Sequence, residues 1–202
     1  MQQILTQILQ AYKFDAKAAN RLEKSVSWTD VLLVASVLVI ALNWLVILLD
    51  QTMVLAEKLL SMAVILVMIP IGWFITYGLY HLFMLMLGVP SKFTSTLSLG
   101  LLIGLPVVII TTLLQLLLVL MNQFVGFSNN WIELLWTIPV ILVVMGISFW
   151  SLAAVIYAYS KIYHASIARV FIAIFVIPMA IALFIALIIM VFIFVLLGGA
   201  AW

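Results

Sequence analysis

The sequence predicts an all-α, polytopic membrane protein with five transmembrane helices and an N-terminal amphipathic helix at the interface. Composition is the first sign. Hydrophobic residues make up 69% of the 202-residue chain and charged residues 7%, against roughly 45–50% and 25% in soluble domains. The second sign is where charge is missing. All eight basic and six acidic residues avoid five stretches, 31–49, 59–87, 99–121, 140–159 and 170–197. A hydrocarbon core about 30 Å thick takes about 20 apolar residues per helix, and each stretch is long enough. The third sign is the asymmetry of basic residues between the two faces. Lys13, Lys17, Arg21, Lys24, Lys92, Lys161 and Arg169 fall on one side, and only Lys58 on the other, with Asp50, Glu57 and Glu133. Basic residues in short loops stay cytoplasmic, so the N-terminus is expected inside and the C-terminus outside.

Two units are expected: an interfacial segment, 1–29, and a five-helix membrane domain, 30–202. Residues 1–25 read as one helix lying on the membrane. At 100° per residue, Lys13, Lys17, Arg21 and Lys24 gather within about 80° of arc. Leu5, Ile8, Leu9, Tyr12, Ala19 and Leu22 lie broadly opposite. Such a helix either buries its apolar side at the headgroup boundary or packs on the ends of the spans. Asp15 and Glu23 intrude near the apolar side.

The second apolar stretch would be about 44 Å long if wholly helical, and Pro70 beside Gly72 predicts a kink that absorbs the excess. Residues 88–97 read as a turn followed by a short interfacial helix. Span three opens with Gly100 and Gly104, a small-xxx-small spacing that permits close helix approach, within the protein rather than across a dimer seam. Pro139 divides 131–160, so 131–138 is expected at the outer surface and the span to begin near Pro139. Pro178 predicts a kink in span five, its freed carbonyl met by neighbouring helices. Trp28, Tyr80, Tyr157, Tyr159 and Tyr163 are expected in the inner aromatic belt, and Trp131, Trp136 and Trp202 in the outer one.

Several function classes are disfavoured. The net charge of +2 is small and dispersed, so nucleic acid is not an expected partner. Cysteine is absent, which excludes disulfides and thiol chemistry. His81 and His164 are expected at the same inner face, without the converging acids a metal site needs. Ser148 and Ser151 lie deep while both histidines are shallow, which argues against an intramembrane hydrolase. Asp50, Glu57 and Glu133 read as solvated loop acids rather than a calcium site. The expectation is therefore no enzyme, no cofactor and no metal.

What remains is polar chemistry of two kinds. Asn43, Thr111, Thr112, Gln115, Ser148 and Ser151 are uncharged polar residues at membrane depth, expected to form inter-helical hydrogen bonds. Alternatively they line a path through a small transporter or channel for an uncharged or lipidic solute, gated around Pro70, Pro106, Pro139 and Pro178. The basic residues Lys13, Lys17, Arg21, Lys24, Lys92, Lys161 and Arg169 form an inner collar suited to acidic lipid headgroups or an acidic partner.

A further pattern runs over roughly residues 18–197. His81 and then Gly88 close one span, followed by Phe93, Thr96 and Leu97, with Pro106 early in the next. Phe149, Trp150, Ala153 and Tyr157 sit in span four, and Ser166, Ala168 and Arg169 lead into span five. This pattern, with Ala18 to Glu23 upstream, resembles the Yip (Ypt-interacting protein) domain family, particularly its short prokaryotic members. The resemblance implies five spans, a cytoplasmic N-terminus and a prokaryotic plasma membrane. It also implies a non-enzymatic membrane-organising or partner-binding role, of the trafficking or transporter-accessory kind. Expected partners are membrane lipids and a protein partner or a homo-oligomer. Binding of small GTPases, implied by eukaryotic members, is not carried over.

Overall fold

In a computed structural model, the described residues are 2–25, 27–51, 53–125 and 130–198; side chains are described at all of these except 2–5, 25, 122, 124–125, 130–136, 194 and 196–198. In chain order, α1 is Gln2–Ala11, α2 Ala16–Ser25, α3 Trp28–Leu49 and α4 Leu55–Met86. Then follow α5 Phe93–Val125, α6 Asn130–Ile162, α7 Ile167–Phe171, a π-helical turn Ile172–Val176 and α8 Ile177–Gly198. No strand occurs among the described residues. Five helices are long and apolar enough to cross a membrane: α3, α4, α5, α6 and the continuous run from α7 to α8. The chain is an all-α integral membrane protein.

The N-terminal segment forms two helices, which corrects the expectation of one. After α1, the Phe14 N–H donates to the Ala11 carbonyl at 2.9 Å and the Asp15 N–H to the Gln10 carbonyl at 3.2 Å. These are the paired bonds of a Schellman motif. Its left-handed position, usually glycine, is held by Phe14 at φ 59°. Asp15 then caps α2, its Oδ1 accepting from the Lys17 N–H at 2.8 Å. Asp15 thus falls on the apolar side only of a continuous helix; here it starts a new one. Ala18, Ala19 and Leu22 of α2 are buried, while Lys17, Arg21 and Lys24 are exposed.

The same terminating device recurs twice. After α4, Gly88 takes the left-handed position at φ 73°, and the Val89 N–H donates to the Met84 carbonyl at 2.9 Å. After α6, His164 takes it at φ 49°, and the Ala165 N–H donates to the Ser160 carbonyl at 3.0 Å.

Two further expectations about helix continuity are corrected. Residues 93–97 are not a separate interfacial helix but the first turns of α5. Pro139 does not divide the helix, since α6 runs unbroken from Asn130 to Ile162 with Pro139 inside it, although the stretch long and apolar enough to cross a membrane begins at Thr137, near Pro139 as expected. At Pro178, the preceding turn widens to π geometry, with the Ile177 N–H bonded to the Ile172 carbonyl. The wider register accommodates a ring that would press on the carbonyl four residues back in an α-helix. Trp131, Trp136, Glu133 and Trp202, part of the expected outer belt and loop acids, lie outside the described side chains.

The end opposite the basic collar is fastened by two side chains that cap the last carbonyls of α3. Lys58 Nζ donates to the Leu48 carbonyl at 3.0 Å, and the Gln123 amide donates to the Leu49 carbonyl. A cation here also complements the helix dipole. At the start of α4, the Val54 N–H donates to the Glu57 carboxylate at 3.2 Å, so this acid serves as a helix cap. Counted about 20 residues from Leu49, Lys58 and Gln123, a 30 Å hydrocarbon core reaches Thr29, Gly78 and Ile103. The helices continue past that level. With 32 residues in α4 and 33 in each of α5 and α6, they measure about 48–50 Å.

The surplus turns pack with α1, α2 and α7 into a basal layer that holds most of the core. Leu22, Met84, Leu97, Leu99, Ile103, Tyr159 and Val170 are all almost fully buried there. By contrast, Ile141, Leu142 and Val143 of α6 and Leu183, Phe184 and Ile185 of α8 are exposed. The division has a physical cause. Water drives apolar side chains together, whereas lipid tails are as apolar as leucine and leave helices free to present them outward.

Gly100 sits at the centre of the basal layer. A Cβ there would lie 2.6 Å from the Tyr159 hydroxyl oxygen and 2.7 Å from Tyr77 Cδ1. The small-xxx-small spacing thus serves close packing of α4 and α6 on α5, as expected, with the Tyr77 hydroxyl 3.4 Å from a Cβ at Gly104.

Candidate functional site

The basal layer gathers the residues with the most chemistry. Two tyrosines from the end of α6 tie down the start of α5. The Tyr159 hydroxyl donates to the Thr96 carbonyl. The Tyr163 hydroxyl donates to the Lys92 carbonyl at 3.2 Å and lies 3.0 Å from Thr96 Oγ1. Thr96 Oγ1 itself donates to the Lys92 carbonyl at 2.9 Å. Tyr159 is 0% exposed and Tyr163 6%, so neither stands in an aromatic belt facing headgroups. Hydrogen-bonded positions inside the protein satisfied their hydroxyls instead. Burial pushes the Tyr163 hydroxyl above its ordinary pKa.

A second cluster joins the N-terminal hairpin to the spans. The Tyr12 hydroxyl donates to the Ile103 carbonyl. Ser151 Oγ lies 3.3 Å from it and also donates to Ile103, at 3.4 Å. Pro106, inside α5, lacks the N–H that the Leu102 carbonyl, one residue before this acceptor, would receive. Burial raises the Tyr12 pKa, with the Ser151 bond opposing. The Trp150 indole N–H donates to the Tyr12 carbonyl at 3.2 Å. Phe14 inserts between Trp150 and Tyr157, each ring centroid 5.3 Å away in an edge-on arrangement. That packing offsets the left-handed backbone of a bulky residue, worth roughly 1–2 kcal/mol.

The two histidines have different surroundings. His81 Nδ1 lies 2.8 Å from Ser91 Oγ, and its ring meets Phe93 edge-on at 6.0 Å. His164 is exposed and lines a shallow cleft of about 280 Å³ with Glu23, Pro90, Lys92, Ile162 and Tyr163. Among the described residues, no group of three or more His, Cys, Asp or Glu converges on one point.

Every residue of the basic collar is exposed: Lys13, Lys17, Arg21, Lys24, Lys92, Lys161 and Arg169. Arg21 and Lys24 share a second cleft, about 350 Å³, with Gln7 and Asn20. Lys161 Nζ sits 5.3 Å from the Tyr157 ring centroid, a cation–π distance. Ser166 caps α7, its Oγ accepting from the Arg169 N–H at 3.3 Å.

The intramembrane polar residues mostly satisfy themselves. Asn43 Nδ2 donates to the Val39 carbonyl at 2.8 Å, and Thr111 and Thr112 hydroxyls donate to the Val108 carbonyl at 2.9 and 2.8 Å. These bonds stay within one helix, where inter-helical ones were expected; a short side chain reaches its own preceding turn more readily than a neighbour. Ser151 does bridge two helices, and Ser148 is exposed. Gln115 is exposed; its amide makes no hydrogen bond among the described residues. It lies about 18 Å along α5 from Ile103 and about 12 Å from Gln123. Thr112 is buried at 4% exposure, so the two do not share a polar cavity.

Sequence reasoning missed Tyr12, Phe14 and Gln123 as structural links. Asp15 at an N-cap position was the one legible signal of the break beside Tyr12 and Phe14. No family model, curated protein or solved structure matches the chain.

Proposed function

We infer that this chain is a non-enzymatic membrane-organising factor that binds a partner helix, from another membrane protein or a second copy, within the bilayer. Its basic collar faces the cytoplasm, as the distribution of lysine and arginine indicates, and makes contacts with acidic headgroups or a partner there. The resemblance to short prokaryotic Yip-domain proteins supports the same reading.

Gln115 is the observation that carries it. A primary amide well inside the span, exposed and without a bond among the described residues, is costly against hydrocarbon and is relieved by a polar group on another helix. A solute path would instead bring Gln115 and Thr112 to one cavity; Thr112 is buried and bonded to its own helix, which favours partner binding.

The chain holds no cysteine, so Gln115→Cys is a single-site probe in an otherwise unmodified background. Oxidative cross-linking in native membranes is expected to trap a stoichiometric adduct with a partner or with a second copy. Extraction into lipid-preserving polymer should recover the same assembly, weakened by Gln115→Leu. A consistently solitary monomer in both experiments overturns the proposal.

A further inference from the structure

Between α6 and α7 runs a lateral groove of about 490 Å³, within the range of small-ligand sites. One wall is the face of α6 carrying Phe149, Leu152, Ala153, Ile156 and Tyr157, spaced as successive turns of one side of a helix. The other wall is Ile167, Phe171 and Phe175, and Phe14 closes the groove from the N-terminal hairpin. Among the described residues, no charged side chain lines it. Phe149, Ile167 and Phe171 remain 57%, 52% and 40% exposed, so the groove opens sideways where the spans leave the hydrocarbon core.

Its two ends differ in chemistry. From Phe149 to Tyr157 the groove is about 12 Å long. Phe149 and Phe175 mark the end nearer the middle of the spans; Tyr157 and Ile167 mark the end nearer the basic collar. One turn beyond Tyr157 stands Lys161, its ammonium resting 5.3 Å from the Tyr157 ring centroid. An apolar trough that begins within the spans and ends at an exposed cation matches an amphiphile with an apolar tail and an anionic head. The groove is also held in shape by unusual backbone at two places: the left-handed Phe14 that closes it, wedged between Trp150 and Tyr157, and the π-helical turn Ile172–Val176 that places Phe175 on its second wall. Such features concentrate at binding sites.

The geometry points to a binding site for an anionic phospholipid, one acyl chain lying in the groove and the headgroup meeting Lys161. The site deepens the headgroup-contacting role proposed for the collar, to which Lys161 belongs, and rests on that part of the reading; it does not rest on helix binding at Gln115.

Native mass spectrometry of the full chain, exchanged into equal amounts of phosphatidylglycerol and phosphatidylcholine of matched chains, tests it. The wild-type protein is expected to retain phosphatidylglycerol about fivefold over phosphatidylcholine, the preference one interfacial cation supplies. Lys161→Gln should lower that preference severalfold, more than Lys17→Gln elsewhere on the collar does, while lipid is still retained. Ala153→Trp, which fills the groove, should abolish retention of both; if it fails to fold, Ala153→Leu should reduce retention at unchanged melting temperature. Equal retention of both lipids by the wild type overturns the proposal, as does undiminished retention when the groove is filled. So does cross-linking from Ala153→Cys to a protein helix in native membranes, which would make the occupant a polypeptide.

Discussion

Replacing Gly100 by alanine tests the packing of the basal layer at its tightest point. The added methyl would lie 2.6 Å from the Tyr159 hydroxyl oxygen and 2.7 Å from Tyr77 Cδ1, against a favourable carbon separation of about 3.5–4.0 Å. Neither neighbour gives way easily. Tyr159 is fully buried and its hydroxyl bonds the Thr96 carbonyl, while Tyr77 packs edge-on to Tyr80 at 5.9 Å. Overpacking a core costs about 1–3 kcal/mol, and disturbing the Tyr159 bond adds about 1 kcal/mol. Alanine's better helix propensity returns about 1 kcal/mol. The net is a destabilisation of about 2 kcal/mol, or a fall of about 4–8 °C in melting temperature for a chain of this size. Thermal unfolding in a mild detergent, followed by circular dichroism, reads it directly. Gly146→Ala is the control: that glycine is exposed, with no atom within 4 Å of a Cβ, and its melting temperature should hold or rise slightly. Combining Gly100→Ala with Tyr77→Leu should recover part of the loss. An unchanged or higher melting temperature for Gly100→Ala alone would refute the packing described.

His164→Gly should stabilise the protein by about 1 kcal/mol, because it relieves a left-handed backbone at an exposed residue. Phe14→Gly gains the same relief yet should destabilise by about 1–3 kcal/mol, since it deletes the rings' contacts with Trp150 and Tyr157; a higher melting temperature for it would remove Phe14 from the core. Ser36 Oγ is buried without a hydrogen-bond partner among the described residues, so Ser36→Ala should raise stability by about 1 kcal/mol in the same melt. Burial raises the Tyr12 and Tyr163 hydroxyls above their ordinary value of 10.0. The folded state therefore favours their neutral forms: stability is fully present below pH 10.0 and is lost as pH rises above it toward the folded values. Melting curves from pH 8 to 11 should show that decline, and Tyr12→Phe with Tyr163→Phe should flatten it.

The spans were legible because a bilayer excludes charge so strongly that fourteen charged residues, eight basic and six acidic, leave an unmistakable pattern. The packing around Gly100 was legible in outline from its spacing to Gly104. Helix continuity was not. Residues 93–97 hold polar residues and 130–138 are followed by Pro139, features that read as interface or break, yet α5 and α6 run straight through them. Two Schellman turns were invisible because Phe14 and His164 occupy positions where glycine is the usual marker. Tyr159 and Tyr163 read as belt aromatics because composition cannot tell an interface facing headgroups from one facing a protein core. The collar was readable residue by residue; the apolar groove beside it was not, since its walls come from α6, α7 and the Phe14 turn, which are distant in sequence.

Membrane placement underlies every functional statement made for this chain, and single-cysteine labelling tests it most directly. In intact cells, a membrane-impermeant maleimide should label Gln51→Cys, at the end of α3 away from the collar. Arg169→Cys and Lys17→Cys should label only after the cells are opened. Labelling of Arg169→Cys or Lys17→Cys in sealed cells would invert the protein in its membrane and contradict the account.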